Sequence, residues 1–238
     1  MLGGLPVIYG IDPHNEEVSQ QHQLGTVGYT PDGRKFRYAR AGGTVLVAGN
    51  VLQTPAQSTD LSLTPSSASI GATSVTVTTA AAVTANLFSE GYLVVTNTPG
   101  NGLMYRIKSH PATSSATTCV ITLAEPLTVA LTGSSRVDLV KNPYNGVIQN
   151  PATPTSCPVG VAVKAITAEY YGWIQDGGVC SVLAGGTLAV GNQIVTKLGT
   201  AASVINAANT TTEAFPIIGY ALTSGTSGEN ATVYLNIN

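Results

Sequence analysis

The chain has 238 residues, enough to bury a core in one large or two modest domains. Only 9% of the residues are charged, against about 25% in an ordinary globular domain, and the formal net charge is −2. This balance argues against a nucleic-acid binder with a basic surface, and no apolar run approaches the roughly 20 residues that cross a bilayer. Thr, Ser, Asn, Gly and Ala replace charge, which favours strands and tight turns over exposed helical faces.

The N-terminal stretch is polar and has no sustained strand period. Its Glu16–Gln23 segment is compatible with a turn or two of helix, which is marginal because isolated helices under about 12–15 residues rarely persist. We predict that residues 1–24 form an extended arm that becomes ordered on a partner. A frayed tail without a function is the alternative.

The stretch TPDGRKFRYARAGG, residues 30–43, holds four of the ten basic residues. TPDG predicts a tight turn between two strands, because Pro presets φ and Gly tolerates positive φ. Alternation along the outgoing strand places Phe36 and Tyr38 on one face, with Lys35 and Arg37 directed outward on the other. The next run, AGGTVLVAGNVLQ, predicts a buried strand with glycine turns at its ends. The cationic cluster is made of Arg34, Lys35, Arg37 and Arg40.

Residues 56–142 are a series of short strands bounded by Gly, Pro, Asn or Ser, which is typical of antiparallel sandwiches and barrels. The following KNPYNGVIQNPATPTSCPVG predicts a linker or crossover, because Pro lacks the donor that a central strand needs. Further strands complete the chain, and YYGWIQDGGVCSVL predicts a hairpin that turns at Asp176–Gly178. The fold class is therefore all-β, with antiparallel sandwich or barrel domains.

The residues that could carry chemistry are scattered. The histidines match no metal-binding spacing, and no nucleophile-elbow, phosphate-loop or dinucleotide motif is present. Glu16 and Glu17 are adjacent, so their side chains diverge in any regular structure. We expect no catalytic residue, no metal site and no cofactor; a carbohydrate-active enzyme with two facing carboxylates is an alternative. The histidines are His14, His22 and His110.

The cysteines and the aromatic residues of EYYGWIQ are expected to pack in the interior or at a subunit contact. The cysteines are odd in number and widely spaced, so we interpret them as small buried hydrophobes, with a single disulfide as the alternative. The aromatics of EYYGWIQ are expected in the core or at a subunit contact, and an exposed pair stacked on a sugar is the alternative. The cysteines are Cys119, Cys157 and Cys180, and the aromatics are Tyr170, Tyr171 and Trp173.

Three stretches resemble the capsid decoration, or cement, proteins of tailed bacteriophages: GTVGYTPDGRKFRYARAGGTVLVAGNVLQ, YYGWIQDGGVCSVLAGGTLAVGNQIVT and PIIGYALTSGTSGENATVYLNIN. In that family an aromatic-Gly-aromatic strand, a glycine-rich hairpin and a closing strand pair form a small β-domain. The resemblance implies one discontinuous β-domain over 25–55 plus 143–238, interrupted by an inserted β-domain over 56–142. Two sequential domains are the alternative layout.

The same resemblance implies a structural virion protein, made in the host cytoplasm, on the outer surface of an icosahedral head. Its partner would be the major capsid protein, and it would act as a homo-oligomer, a trimer in that family, with no enzyme activity and no nucleic-acid or membrane partner. The cationic cluster, with Glu16 and Glu17, is then the predicted capsid-docking set. Pairing of these cations inside the chain, by Asp32, Glu16 and Glu17, is the alternative. A phage fibre, receptor-binding or carbohydrate-binding β-module is the alternative function.

Overall fold

The computed structural model describes residues 6–57, 59–209 and 215–237, and it confirms the all-β class. In these residues the helical element is a short 3₁₀ turn, Ala207–Asn209. The chain divides into two compact units. Unit 1 is Met1–Ala56 with Pro143–Asn238, and unit 2 is Gln57–Asn142.

Unit 1 contains a sheet of twelve strands. In chain order they are β1 (Val7–Tyr9), β2 (Glu16–Glu17), β3 (Val27–Tyr29), β4 (Lys35–Ala41), β5 (Val51–Gln53), β11 (Asn145–Gln149), β12 (Pro158–Ala162), β13 (Tyr171–Leu183), β14 (Gln193–Thr196), β15 (Val204–Asn206), β16 (Gly219–Ala221) and β17 (Asn230–Asn236). The numbers β6–β10 belong to unit 2. The order across the sheet is β1-β3-β4-β11-β5-β12-β13-β17-β16-β14-β15.

Two pairings bend this sheet into closed rings. β4 pairs with β13 as well as with β11, so β4, β11, β5, β12 and β13 close on themselves around a small core that includes Leu52 and Ile174. Past this ring, β13 continues and pairs with β17, and an isolated bridge between Ala184 and Val204 brings β15 back to the end of β13. A second core, including Val182, lies within that second set of strands.

Unit 2 is a small antiparallel barrel. Its strands are β6 (Ser74–Thr78), β7 (Tyr92–Asn97), β8 (Met104–Ser109), β9 (Thr118–Leu123) and β10 (Arg136–Val140), in the order β10-β7-β8-β9-β6. Leu63 bridges Val137 of β10 and Pro65 bridges Val77 of β6, so the segment between them joins the two edge strands. Alternate residues of every strand point into one apolar core, as the period of two requires.

The predicted extended arm is not confirmed. β1 pairs in parallel with β3, β2 pairs with β13, and the predicted helical turn at Glu16–Gln23 is replaced by β2. Leu24 is buried in a cluster with the rings of Phe36, Tyr38 and Trp173, and Ile8 and Ile11 pack against that cluster. Residues 6–24 are therefore part of unit 1, because they add strand pairs and apolar contacts to it.

Three local expectations are wrong. The predicted linker contains β11, which lies between β4 and β5; its five residues carry no proline, and the prolines flank it. The predicted hairpin at Asp176–Gly178 is absent, because β13 runs through it with a bulge opposite β4. The predicted buried strand of AGGTVLVAGNVLQ is wrong in its first part, where Val45 and Val47 are exposed, whereas its last residues form the buried β5.

Candidate docking surface

The TPDG turn forms as expected and places the cationic cluster. The Gly33 backbone N–H donates to the carbonyl of Thr30 at 2.9 Å, Gly33 has a φ of 84°, and β3 and β4 flank the turn. Phe36 and Tyr38 are buried on one side of β4, as their alternation indicates. The opposite side of β4 is covered as well, because the β4–β13 pairing encloses it.

Lys35 and Arg37, which were expected to face outward, converge on Asp176 of β13. Arg37 Nε lies 2.9 Å and Lys35 Nζ 3.3 Å from Asp176 Oδ2, and the Asp176 side chain is 0% exposed. Arg37 also donates to the carbonyl of Gly25 at 3.2 Å, and its guanidinium lies over the ring of Tyr144. A buried carboxylate with two cations is strongly held, since removing one partner leaves an uncompensated charge.

Arg34 and Arg40 also have acidic partners within the chain. Arg34 Nε donates to Asp32 Oδ2 at 2.8 Å, and Arg40 forms an ion pair with Glu169. The hydrogen bond from Thr30 lowers the pKa of Asp32 below its usual value, and Arg34 lowers it further. Of the internal partners named as the alternative, Asp32 pairs with a cation of the cluster, whereas Glu169 and Asp176 were not anticipated.

The two glutamates of the predicted docking set also make internal contacts. Glu16 accepts a hydrogen bond from the backbone N–H of Thr167 at 2.8 Å, and Glu17 accepts one from the hydroxyl of Tyr38. Burial raises the pKa of Tyr38 well above its usual value, so this hydroxyl remains a donor at neutral pH. Docking through the cationic cluster and these glutamates stays a prediction, and their observed contacts hold β2, β4 and β13 together.

The aromatics of EYYGWIQ pack inside unit 1. Trp173 is 6% exposed and meets Tyr38 edge to face, with ring centroids 5.2 Å apart, and Tyr171 stacks on Tyr38 at 6.0 Å. Tyr170 is partly buried against the core of the first ring. His22 also packs on Tyr38, with ring centroids 5.1 Å apart. A sugar platform needs an open ring face, and Trp173 offers none.

An uncharged surface that the sequence did not single out lies on the outer side of the second ring. In the register of the sheet Val179 is opposite Tyr234, and Tyr234 is opposite Tyr220, so the three side chains form a row across three strands. They are 48%, 50% and 43% exposed, in that order, and Leu222 follows on the same side of β16. We call Val179, Tyr220, Leu222 and Tyr234 the apolar face.

Charge is missing from the strand that runs through the middle of the apolar face. The outward positions of β17 are Asn230, Thr232, Tyr234 and Asn236. Soluble monomers rarely expose contiguous apolar patches, and such patches mark interaction sites. Tyrosine is also enriched at protein interfaces, because it buries a large ring and keeps a hydroxyl for hydrogen bonding.

A cleft of about 470 Å³ lies beside the apolar face in unit 1. Val179 belongs to both, and the rest of the lining mixes polar and apolar groups. The lining includes His14, Arg34, Val163, Gln175, Ser181, Asn230 and Thr232.

The cysteines and the remaining histidine do not add a reactive centre. All three cysteines are free; Cys119 and Cys180 are buried as expected, whereas Cys157 is exposed. Burial raises the pKa of Cys180 to about 12 and also raises that of Cys119, so both are neutral thiols at physiological pH. His110 is buried, accepts from the Phe88 backbone N–H, and has its pKa lowered by burial.

The described residues form neither a metal centre nor a membrane-spanning helix, and the chain resembles no known protein closely enough to match it. Within the described residues, no three His, Cys, Asp or Glu side chains are close enough to hold a metal ion. The described part of the chain contains no helix that could span a membrane. No protein-family model, characterised protein or solved structure matches the chain.

Proposed function

We propose that this protein is a structural virion component that binds the outer surface of an icosahedral phage head and cements neighbouring capsomers. Its partner is the major capsid protein, and it acts through contact area, without catalysis. The motifs that resemble phage decoration proteins support this proposal from the sequence. The observation that carries it is the apolar face, an uncharged row of exposed side chains on a rigid sheet.

The apolar face suits attachment to a large protein shell for a physical reason. Burial of apolar surface contributes about 25 cal/mol per Å², and the tyrosines add hydroxyls that can bond to a partner. The backbone of paired strands loses little freedom on binding, because the sheet already fixes it. The ion pairs of Lys35 and Arg37 with Asp176 tie β4 to β13, the strand that also carries Val179.

The test is cosedimentation with heads assembled without this protein. We expect the wild-type chain to pellet with the heads in many copies per particle, and Tyr220→Ser with Tyr234→Ser to weaken binding by about tenfold or more, as loss of buried aromatic anchors does. Met104→Ser is the matched control, since Met104 is 57% exposed on unit 2.

Failure of the wild-type chain to pellet with any such head would contradict the proposed function. Equal binding by the tyrosine variants and the control would contradict the role of the apolar face. Sedimentation equilibrium of the free protein tests the proposed homo-oligomer, for which a mass three times that of the 24.3 kDa chain is expected.

The cleft favours a second candidate function, a receptor-binding or carbohydrate-binding module. The cleft is concave, its lining mixes polar and apolar groups, and its volume falls within the size range of small-molecule sites. A module of this kind would bind a small ligand in the absence of any head.

A further inference from the structure

The cleft of unit 1 is lined by several hydrogen-bonding groups that have no partner in the described part of the chain. Among the described residues, the side chains of Ser181, Thr232 and Asn230 make no hydrogen bond, although all three line the cleft. Gly49 makes room for one of them, because a Cβ on Gly49 would lie 2.9 Å from Asn230 Nδ2. The bare backbone there lets the Asn230 amide sit against the wall of the cleft.

Gln175 adds an acceptor that is buried and unpaired. Its side chain is 0% exposed, and its Nε2 donates to the carbonyls of Val179 at 2.8 Å and Gly177 at 3.0 Å. These two bonds fix the orientation of the amide, yet Oε1 has no hydrogen-bond partner among the described residues. A buried acceptor without a partner is costly, so a bound group with an O–H or N–H would stabilise it.

Among the described residues that line the cleft, the charged side chain is that of Arg34, a cation. Arg34 uses Nε for Asp32, and its two Nη groups have no hydrogen-bond partner in the described part of the chain. His14 is an exposed second nitrogen donor. No Asp or Glu is among the described residues that line the cleft. Arginine Nη groups suit a carboxylate, because the planar fork matches its two oxygens.

We propose that this cleft binds a carboxylated sugar. The carboxylate lies at Arg34 and His14, ring hydroxyls bond to Gln175 Oε1, Ser181, Thr232 and Asn230, and the apolar side of the ring packs on Val163 and Val179. A simple carboxylate leaves Gln175 without a donor, and a neutral sugar leaves the Arg34 Nη groups without an anion. This ligand rests on the second candidate function of the cleft, a carbohydrate-binding module, and does not depend on the proposed attachment to a capsid.

The test is a titration of the ¹⁵N-labelled full chain with methyl β-D-glucuronide, followed by NMR. We expect saturable shifts of the amides of Ser181, Asn230 and Thr232. Methyl β-D-glucoside, which lacks the carboxylate, and cyclohexanecarboxylate, which lacks the hydroxyls, should each bind at least about tenfold more weakly, as the loss of charged hydrogen bonds predicts. Equal binding of all three compounds, or no saturable shift with the glucuronide, would overturn the proposal.

Matched variants locate the site. Asn230→Asp adds a negative charge to the lining and should weaken glucuronide binding by about tenfold or more. Asn101→Asp makes the same change at an exposed position of unit 2 and should bind like the wild type. Unweakened binding by a folded Asn230→Asp variant would overturn this location.

Discussion

Asp176 is the acidic partner of two residues of the cationic cluster. It is buried between Lys35 and Arg37, and it lies on the strand that both rings share. Its position 139 residues from Arg37 explains why the sequence pattern suggested solvent-facing cations instead. An isolated Asp in an apolar strand gave no local indication of its partners.

Replacement of Asp176 by Asn should lower the free energy of unfolding of unit 1 by about 3 kcal/mol, because two partly buried cations lose their counter-charge. Urea denaturation followed by Trp173 fluorescence measures this, since Trp173 is the single tryptophan and lies in unit 1.

Glu169→Gln is the control for this change. The Arg40–Glu169 pair is exposed, and exposed pairs contribute about 0–1 kcal/mol. A loss of similar size in both variants would show that burial of Asp176 is not the source of its importance.

At the scale of single elements, β16 shows how closely two backbones approach beneath the apolar face. A Cβ on Gly219 would lie 2.1 Å from the backbone oxygen of Tyr234. Because the clash is with the backbone, a change of side-chain rotamer could not remove it. Glycine at this position is therefore required for β16 to pair with β17. The same pairing sets Tyr220 beside Tyr234.

Gly219→Ala should destabilise unit 1 by about 1–3 kcal/mol, as overpacking does, and should weaken attachment to heads by separating Tyr220 from Tyr234. Denaturation and cosedimentation measure the two effects. Gly43→Ala is the control, because its nearest neighbour would be a Glu169 oxygen at 3.9 Å. Wild-type behaviour of Gly219→Ala in both measurements would contradict the close approach.

Strand-level predictions succeeded where the pattern is local. Short runs such as TSVTVT and GYLVVTN form β6 and β7, because alternation and flanking turn residues act over a few positions.

The strand-level predictions failed at β11 and β13, where pairing with distant strands overrides the local sequence signals. The prolines near β11 and the Asp-Gly-Gly of β13 suggested breaks, yet neighbouring strands on both sides hold each segment extended.

At the scale of the whole molecule, the two strands of unit 1 that precede and follow unit 2 in the sequence are neighbours in the sheet. Gln53 of β5 pairs with Ile148 of β11, and a Cβ on Gly146 would lie 3.8 Å from Pro55 Cβ. The chain thus leaves unit 1 and returns to it at neighbouring positions. This geometry is what a domain inserted into a surface connection requires.

Replacement of residues 57–142 by a short Gly-Ser linker should leave unit 1 folded, because the ends to be joined already lie side by side. We expect a cooperative thermal transition with the buried Trp173 emission of the full chain, and attachment to heads through the apolar face. Residues 57–142 expressed alone should fold as a separate barrel with its own transition by circular dichroism. Aggregation of both pieces would show that the units fold only together.

The sequence by itself determined the all-β class, most strand positions and the TPDG turn, because periodicity and turn chemistry depend on residues a few positions apart. Only the tertiary structure decided that the cationic cluster is paired internally, that residues 6–24 join the sheet, and that Val179, Tyr234 and Tyr220 form one surface. Those outcomes depend on which distant strands lie side by side. Strand order is a property of the whole packed chain, and no local spacing of residues encodes it.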